Sequence, residues 1–171
     1  MHKKQILVVF HSSAGNTNKV AQAIAEALSA DLEQIQEVTP RPVDIKGRSW
    51  GNFLNMGRVV FAAIRRRSVP IHDAQRDPAD YDLTLVGTPV YAGSLPGPTR
   101  AYLERYGARC QAVAFFCTGE DPRNERIFEL MEAACAKSPL AVRAFHTPEI
   151  RAGEFQSQVE AFASQFDGDD G

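Results

Sequence analysis

Apolar runs of strand length alternate with stretches of helical spacing along this chain. Residues 5–10, Gln-Ile-Leu-Val-Val-Phe, are apolar with almost no polar break. A strand of that pattern is buried on both faces, as in the centre of a parallel sheet. After a polar loop, Val20, Ala21, Ile24, Ala25 and Leu28 recur every three or four positions and predict a helix. Residues 31–38 predict a second strand through Leu32, Ile35 and Val38. Pro40 and Pro42 then interrupt regular structure, because proline lacks a backbone donor and restricts the residue before it. A helix is predicted from about residue 50 to 67, with Phe53, Met56, Val60 and Ile64 on one face. Tyr81 to Val86 predicts a third strand, Gly87 to Pro98 a loop, and residues 97–106 a short helix. Residues 112–116 predict a fourth strand and Pro122 to Lys137 a helix. Residues 140–146 predict a fifth strand at an edge, and Glu154 to Phe166 a last helix with Phe155, Val159, Phe162 and Phe166 aligned.

Strand and helix alternate throughout, which predicts an α/β protein with a parallel sheet covered by helices on both faces. The crossovers are expected to be right-handed. Ligands in such sheets bind beyond the carboxyl ends of the strands, at the point where strand order reverses. The chain therefore reads as one domain over residues 1–166, followed by a disordered acidic tail at 167–171. The chemistry is expected just after strands one, three and four.

Composition narrows the class. The apolar share of 44% is ample for a core, and no run reaches the roughly 18 apolar residues of a membrane helix. The first apolar run is shorter than the roughly 7–15 residues of a signal-peptide core, so a cytoplasmic, membrane-free protein is expected. The net charge of −2 is uneven. Residues 41–67 hold seven basic residues (Arg41, Lys46, Arg48, Arg58, Arg65, Arg66 and Arg67) against Asp44 alone, a local +6 that leaves −8 for the rest. That segment reads as a lid, a docking patch, a site for a nicotinamide phosphate, or a solvated helix face. Trp50 within it either covers a ligand or packs beneath the helix. One short arginine cluster does not point to nucleic acid. The three cysteines, Cys110, Cys117 and Cys135, lack CxxC spacing and are expected as reduced, buried thiols. His2, His11, His72 and His146 have no metal-ligand spacing.

The first loop carries the most information. His11-Ser12-Ser13-Ala14-Gly15-Asn16-Thr17 follows strand one and opens a helix. The first amides of a helix lack internal partners, and the helix dipole favours an anion there. Ser12, Ser13 and Thr17 add hydroxyl donors, and Gly15 lets the backbone adopt positive φ. No basic residue lies between His11 and Asn18, so the cradle is neutral unless His11 lends it charge. The lysine of a nucleotide P-loop and the GxGxxG fingerprint are both missing. Spacing alone also permits an ordinary serine N-cap.

Residues 8–24 resemble the flavodoxin phosphate-binding signature over its full length, with Ser12, Gly15, Thr17, Ala21 and Ile24 at the positions of the motif. The second loop, Thr88-Pro89-Val90-Tyr91-Ala92-Gly93, resembles the flavodoxin-like segment beside a flavin ring, with Tyr91 as the stacking residue. The third, Cys117-Thr118-Gly119, follows strand four and corresponds more loosely to the other ring contact. Cys117 itself reads as a core thiol rather than a nucleophile. The resemblance implies a flavodoxin-like, doubly wound five-stranded parallel sheet in the order 2-1-3-4-5. It implies one FMN, with its phosphate on residues 12–17 and its ring between the later loops.

Two features depart from a simple electron shuttle: the near-neutral net charge and the 43-residue connection from Thr39 to Tyr81. Two redox readings follow. One is a carrier docking with a redox partner protein. The other is an FMN-dependent NAD(P)H oxidoreductase of quinone-reductase type, which needs an open ring face for nicotinamide and a small acceptor, often completed by a homodimer. A receiver-like signalling domain needs acidic residues after strands one and three, where this chain has Phe10-His11-Ser12 and Gly87-Thr88-Pro89.

Overall fold

The computed structural model describes residues 4–38, 69–121 and 125–166. Five parallel strands form its sheet: β1 (Ile6–Phe10), β2 (Asp31–Gln34), β3 (Leu83–Pro89), β4 (Val113–Gly119) and β5 (Val142–His146). Their order is β2-β1-β3-β4-β5, the expected doubly wound arrangement. The helices are α1 (Asn16–Leu28), α2 (Gly97–Tyr106), α3 (Glu125–Cys135), α4 (Thr147–Ala152) and α5 (Gln156–Ala163).

Strand alternation sorts the core into two layers. Ile6, Val8 and Phe10 of β1 join Leu83, Leu85, Ala114 and Phe116 under α1 and α5. Leu7 and Val9 join Val86, Val113, Phe115 and Cys117 under α2 and α3. The first layer contains a run of aromatic edges: Phe116 to Phe145 at 6.4 Å, Phe145 to Phe162 at 6.4 Å, and Phe162 to Phe166 at 5.2 Å. Each such pair adds about 0.5–1.5 kcal/mol beyond its burial.

Several boundaries differ from the sequence reading. The second strand ends at Gln34 rather than residue 38. Ile35 still packs into the core, but Val38 is half exposed. The Ile35 amide still donates to the Phe10 carbonyl at 2.8 Å, and after it Glu37 bridges Ile71 instead. The third and fourth strands run longer than expected. Thr88 pairs with Cys117 and Pro89 with Thr118, so ladder pairing carries both strands into segments read as loops. The expected last helix shortens to α5, and a further short helix, α4, precedes it where none was expected, ended by Gly153 at φ 78°. The helix expected at 50–67, Trp50 and the acidic tail lie outside the described residues. Among the described residues, no helix is long and apolar enough to cross a membrane.

Candidate FMN site

The strand order places β1 and β3 side by side while the chain departs from β1 to β2 on the opposite side. That is the switch point at which open α/β sheets bind ligands. Three segments meet at its carboxyl edge: residues 11–17 after β1, residues 88–94 at the end of β3, and residues 117–119 at the end of β4. Neighbouring strand pairing brings them together, through Phe10–Gly87 and Thr88–Cys117.

The first loop is built as an anion cradle. Gly15 sits at φ 88°, in the left-handed region that favours glycine, and turns the chain into α1. The Ser12 Oγ accepts from the amides of Gly15 at 3.2 Å and Asn18 at 3.3 Å. Both serine lone pairs are thereby engaged, and its O–H proton is left to donate. Asn16 and Thr17, at the first two helical positions, have no amide partner within α1. Thr17 is fully buried, with its hydroxyl 2.8 Å from that of Thr118. Each threonine has one proton, so one of the pair donates to the other and one O–H remains available. Ser12 is thus both cap and candidate ligand, and the two readings of the loop are compatible.

His11 occupies the floor. It is 7% exposed, its backbone amide donates to the Gly87 carbonyl at 3.1 Å, and its Nε2 lies 3.3 Å from the Ser13 Oγ. Its Nδ1 is buried without a hydrogen-bond partner. Burial lowers its pKa from 6.5 to about 4, so the side chain is neutral at pH 7. It lends no positive charge here, and the cradle's donors are amides and hydroxyls.

The second segment divides. Thr88 is fully buried, and its hydroxyl is spent on Thr99 at 2.9 Å and on the Pro89 carbonyl. Pro89 is buried at the end of β3, and the Val90 amide donates to the Thr118 carbonyl at 2.9 Å. Tyr91-Ala92-Gly93-Ser94 then forms a tight turn, with Ala92 at φ 49°, Gly93 at φ 69° and a 2.9 Å bond from the Ser94 amide to the Tyr91 carbonyl. Positive φ at both central residues is type I′ geometry, and it strains the alanine by about 1–2 kcal/mol. Ala92 and Gly93 are exposed, while Tyr91 is half-buried. Burial raises the Tyr91 pKa, and the nearby Ser13 hydroxyl opposes that shift.

In the third segment, Cys117 is fully buried and burial pushes its thiol up to about 12, which leaves no thiolate for chemistry. Thr118 is buried against Thr17, and Gly119 ends β4. All three cysteines are free and buried. The structure therefore joins the first and third segments by the Thr17–Thr118 side-chain bond, and the second to the third by the Val90 amide on the Thr118 carbonyl. It turns the side chains of Thr88 and Cys117 into the packed interior. The Thr17–Thr118 contact spans 101 positions, and nothing in the local sequence announces it.

Comparison with solved structures returns the same architecture. A flavoprotein of Lactobacillus acidophilus, solved in complex with FMN, superposes with a TM-score of 0.68 at 19% identity, covering 87% of this chain and 97% of that one. Flavodoxin 2 of Bacillus cereus superposes at 0.53 and 17% identity, covering 95% and 97%. A flavodoxin of Streptococcus pneumoniae gives 0.52 and 14%, again covering 95% and 97%. At these identities the likeness concerns the fold. The sequence supplies the stronger link, because residues 5–143 match the family described as Flavodoxin. That match takes in β1, the cradle, the Tyr91 turn and β4, and the chain belongs to the flavodoxin family.

Proposed function

We propose that this chain binds one FMN at the carboxyl edge of β1, β3 and β4 and serves as an electron carrier for a redox partner protein. The observation that carries the reading is the convergence of three segments, tied by Thr17–Thr118 and by the Val90 amide on the Thr118 carbonyl, at the switch point of the sheet. The donor set fits a phosphate monoester. Ser12 and the Thr17–Thr118 pair retain hydroxyl protons, and the amides of Asn16 and Thr17 face the helix N-terminus. Such a cradle binds an anion through directed bonds and the helix dipole, with no cationic side chain needed.

When bound, FMN supplies a ring that accepts and releases electrons. This chain's residues hold and shape it. Tyr91 offers a half-buried aromatic face, and the exposed Ala92-Gly93 turn presents backbone groups beside it. Buried Cys117 and Thr88 keep the floor packed and exclude water from below. The cytoplasm is the compartment that suits three reduced thiols.

Thr17→Val tests the cradle. The substitution keeps the shape and removes one hydroxyl, and a hydrogen bond to a charged acceptor contributes about 1.5–3 kcal/mol. FMN affinity by fluorescence titration is expected to fall roughly 10- to 150-fold. An unchanged affinity would place the phosphate elsewhere.

A further inference from the structure

Thr17 and Thr118 form a buried hydroxyl pair beneath the cradle, 1% and 3% exposed, with their oxygens 2.8 Å apart. The pair brings two O–H protons, and the bond between the hydroxyls uses one. Neither hydroxyl has another hydrogen-bond partner among the described residues, so one buried donor is left over. Buried polar groups are nearly always matched, and a spare donor points to an acceptor that a ligand supplies.

Position decides which threonine keeps the spare proton. Thr17 stands at the second position of α1, beside the amides of Asn16 and Thr17 that have no partner within the helix. An anion held there meets Thr17 first. Thr118 lies on β4, beyond β3 from the strand that leads into the cradle. The pairing is therefore assigned with Thr118 donating to the Thr17 Oγ1 and the Thr17 O–H turned toward the anion. The two threonines also differ in freedom. Thr118 is paired on both sides, with Pro89 of β3 and Phe145 of β5, and its carbonyl accepts from the Val90 amide at 2.9 Å. Its β-branched side chain on that clamped strand is a fixed anchor. A threonine in a helix divides between two rotamers, and contact with a fixed hydroxyl selects one. Two donors in series that end on a charged acceptor also strengthen each other.

We propose that Thr118 is a positioning residue for Thr17, and that its side chain serves recognition of the FMN phosphate and not of the flavin ring. The proposal rests on the FMN reading above. It departs from the role that the family resemblance implies for residues 117–119, which is contact with the ring.

Riboflavin, which has the ring and no phosphate, distinguishes the two roles. Affinities for FMN and riboflavin are measured by fluorescence titration on the full chain, and the visible band of the FMN-saturated protein reports on the ring. Thr118→Val is expected to weaken FMN about two- to tenfold, as for one neutral hydrogen bond, while the riboflavin affinity and the visible band stay at their wild-type values. Thr118→Ser, which keeps the hydroxyl, should bind FMN like wild type. Adding Thr118→Val to Thr17→Val should cost nothing more, because Thr118 acts through Thr17. A Thr118→Val variant that loses affinity for both ligands, or moves the visible band, would overturn the proposal and put the side chain on the ring. A silent Thr118→Val, a Thr118→Ser as weak as Thr118→Val, or losses that multiply in the double variant would overturn it as well while leaving the FMN reading standing. Wild-type protein that binds neither ligand would remove both.

Discussion

Gly87→Ala is expected to destabilise the fold by about 3 kcal/mol, the upper range for forcing extra volume into a packed core. A Cβ at this position would lie 2.1 Å from the Phe116 Cζ, 2.4 Å from Cε2 and 2.8 Å from Cε1. The ring lies across β3 where a side chain would stand. Phe116 is fully buried, and its edge meets Phe145, which meets Phe162 and then Phe166. Moving the first ring pushes the next, so relaxation is expensive. A loss of that size matters against the 5–15 kcal/mol that stabilises a typical domain. Urea denaturation reads it directly. Adding Phe116→Leu should recover part of the loss, because the two changes share one space and must not be additive. A Gly87→Ala protein as stable as wild type would show that the ring can leave at no cost. The effect also reaches the site, since the Gly87 carbonyl holds the amide of His11.

Acid should weaken the fold through His11 itself. Burial holds its folded-state pKa at about 4, against 6.5 when the chain is unfolded. Between those values the unfolded chain binds the proton and the folded one does not, so stability rises with pH across that window. The contribution is fully present above pH 6.5. It declines as pH falls toward 4 and levels off below that, for a total of about 3 kcal/mol. Carboxylates titrate in the same range, so the informative quantity is the difference between wild type and His11→Gln, which cannot titrate there. The stability gap should shift by about 3 kcal/mol in favour of the variant between pH 7 and pH 4. A gap that stays constant with pH would mean that His11 is hydrated and titrates normally.

These effects trace to what was legible in the chain and what was not. β1, β3 and β4 were readable because strands covered on both faces have little room for polar residues, and Ile-Leu-Val-Val-Phe states that directly. The cradle was readable because glycine and hydroxyl residues before a helix have a local physical purpose. β2 was overextended because an edge strand is held by a single neighbour, and apolar residues such as Ile35 can enter the core from irregular backbone. The ends of β3 and β4 were read as loops because Gly87-Thr88-Pro89 and Cys117-Thr118-Gly119 have turn-like composition, which strand pairing overrides. Within the site, sequence named Ser12, Ser13 and Thr17 but gave them one role. The pairing of Thr17 with Thr118 is a contact that only tertiary packing creates. The neutrality of His11 depends likewise on burial, which a single histidine after a strand does not reveal.

An FMN site at the carboxyl edge of β1, β3 and β4 is open to a simple titration. Purified chain, freed of any copurifying flavin, is titrated into FMN while flavin fluorescence and the visible spectrum are followed. Saturable binding at one FMN per chain is expected, with quenched fluorescence and a shifted visible band from contact with Tyr91. Flavin that stays fully fluorescent and spectrally free at saturating protein would contradict it.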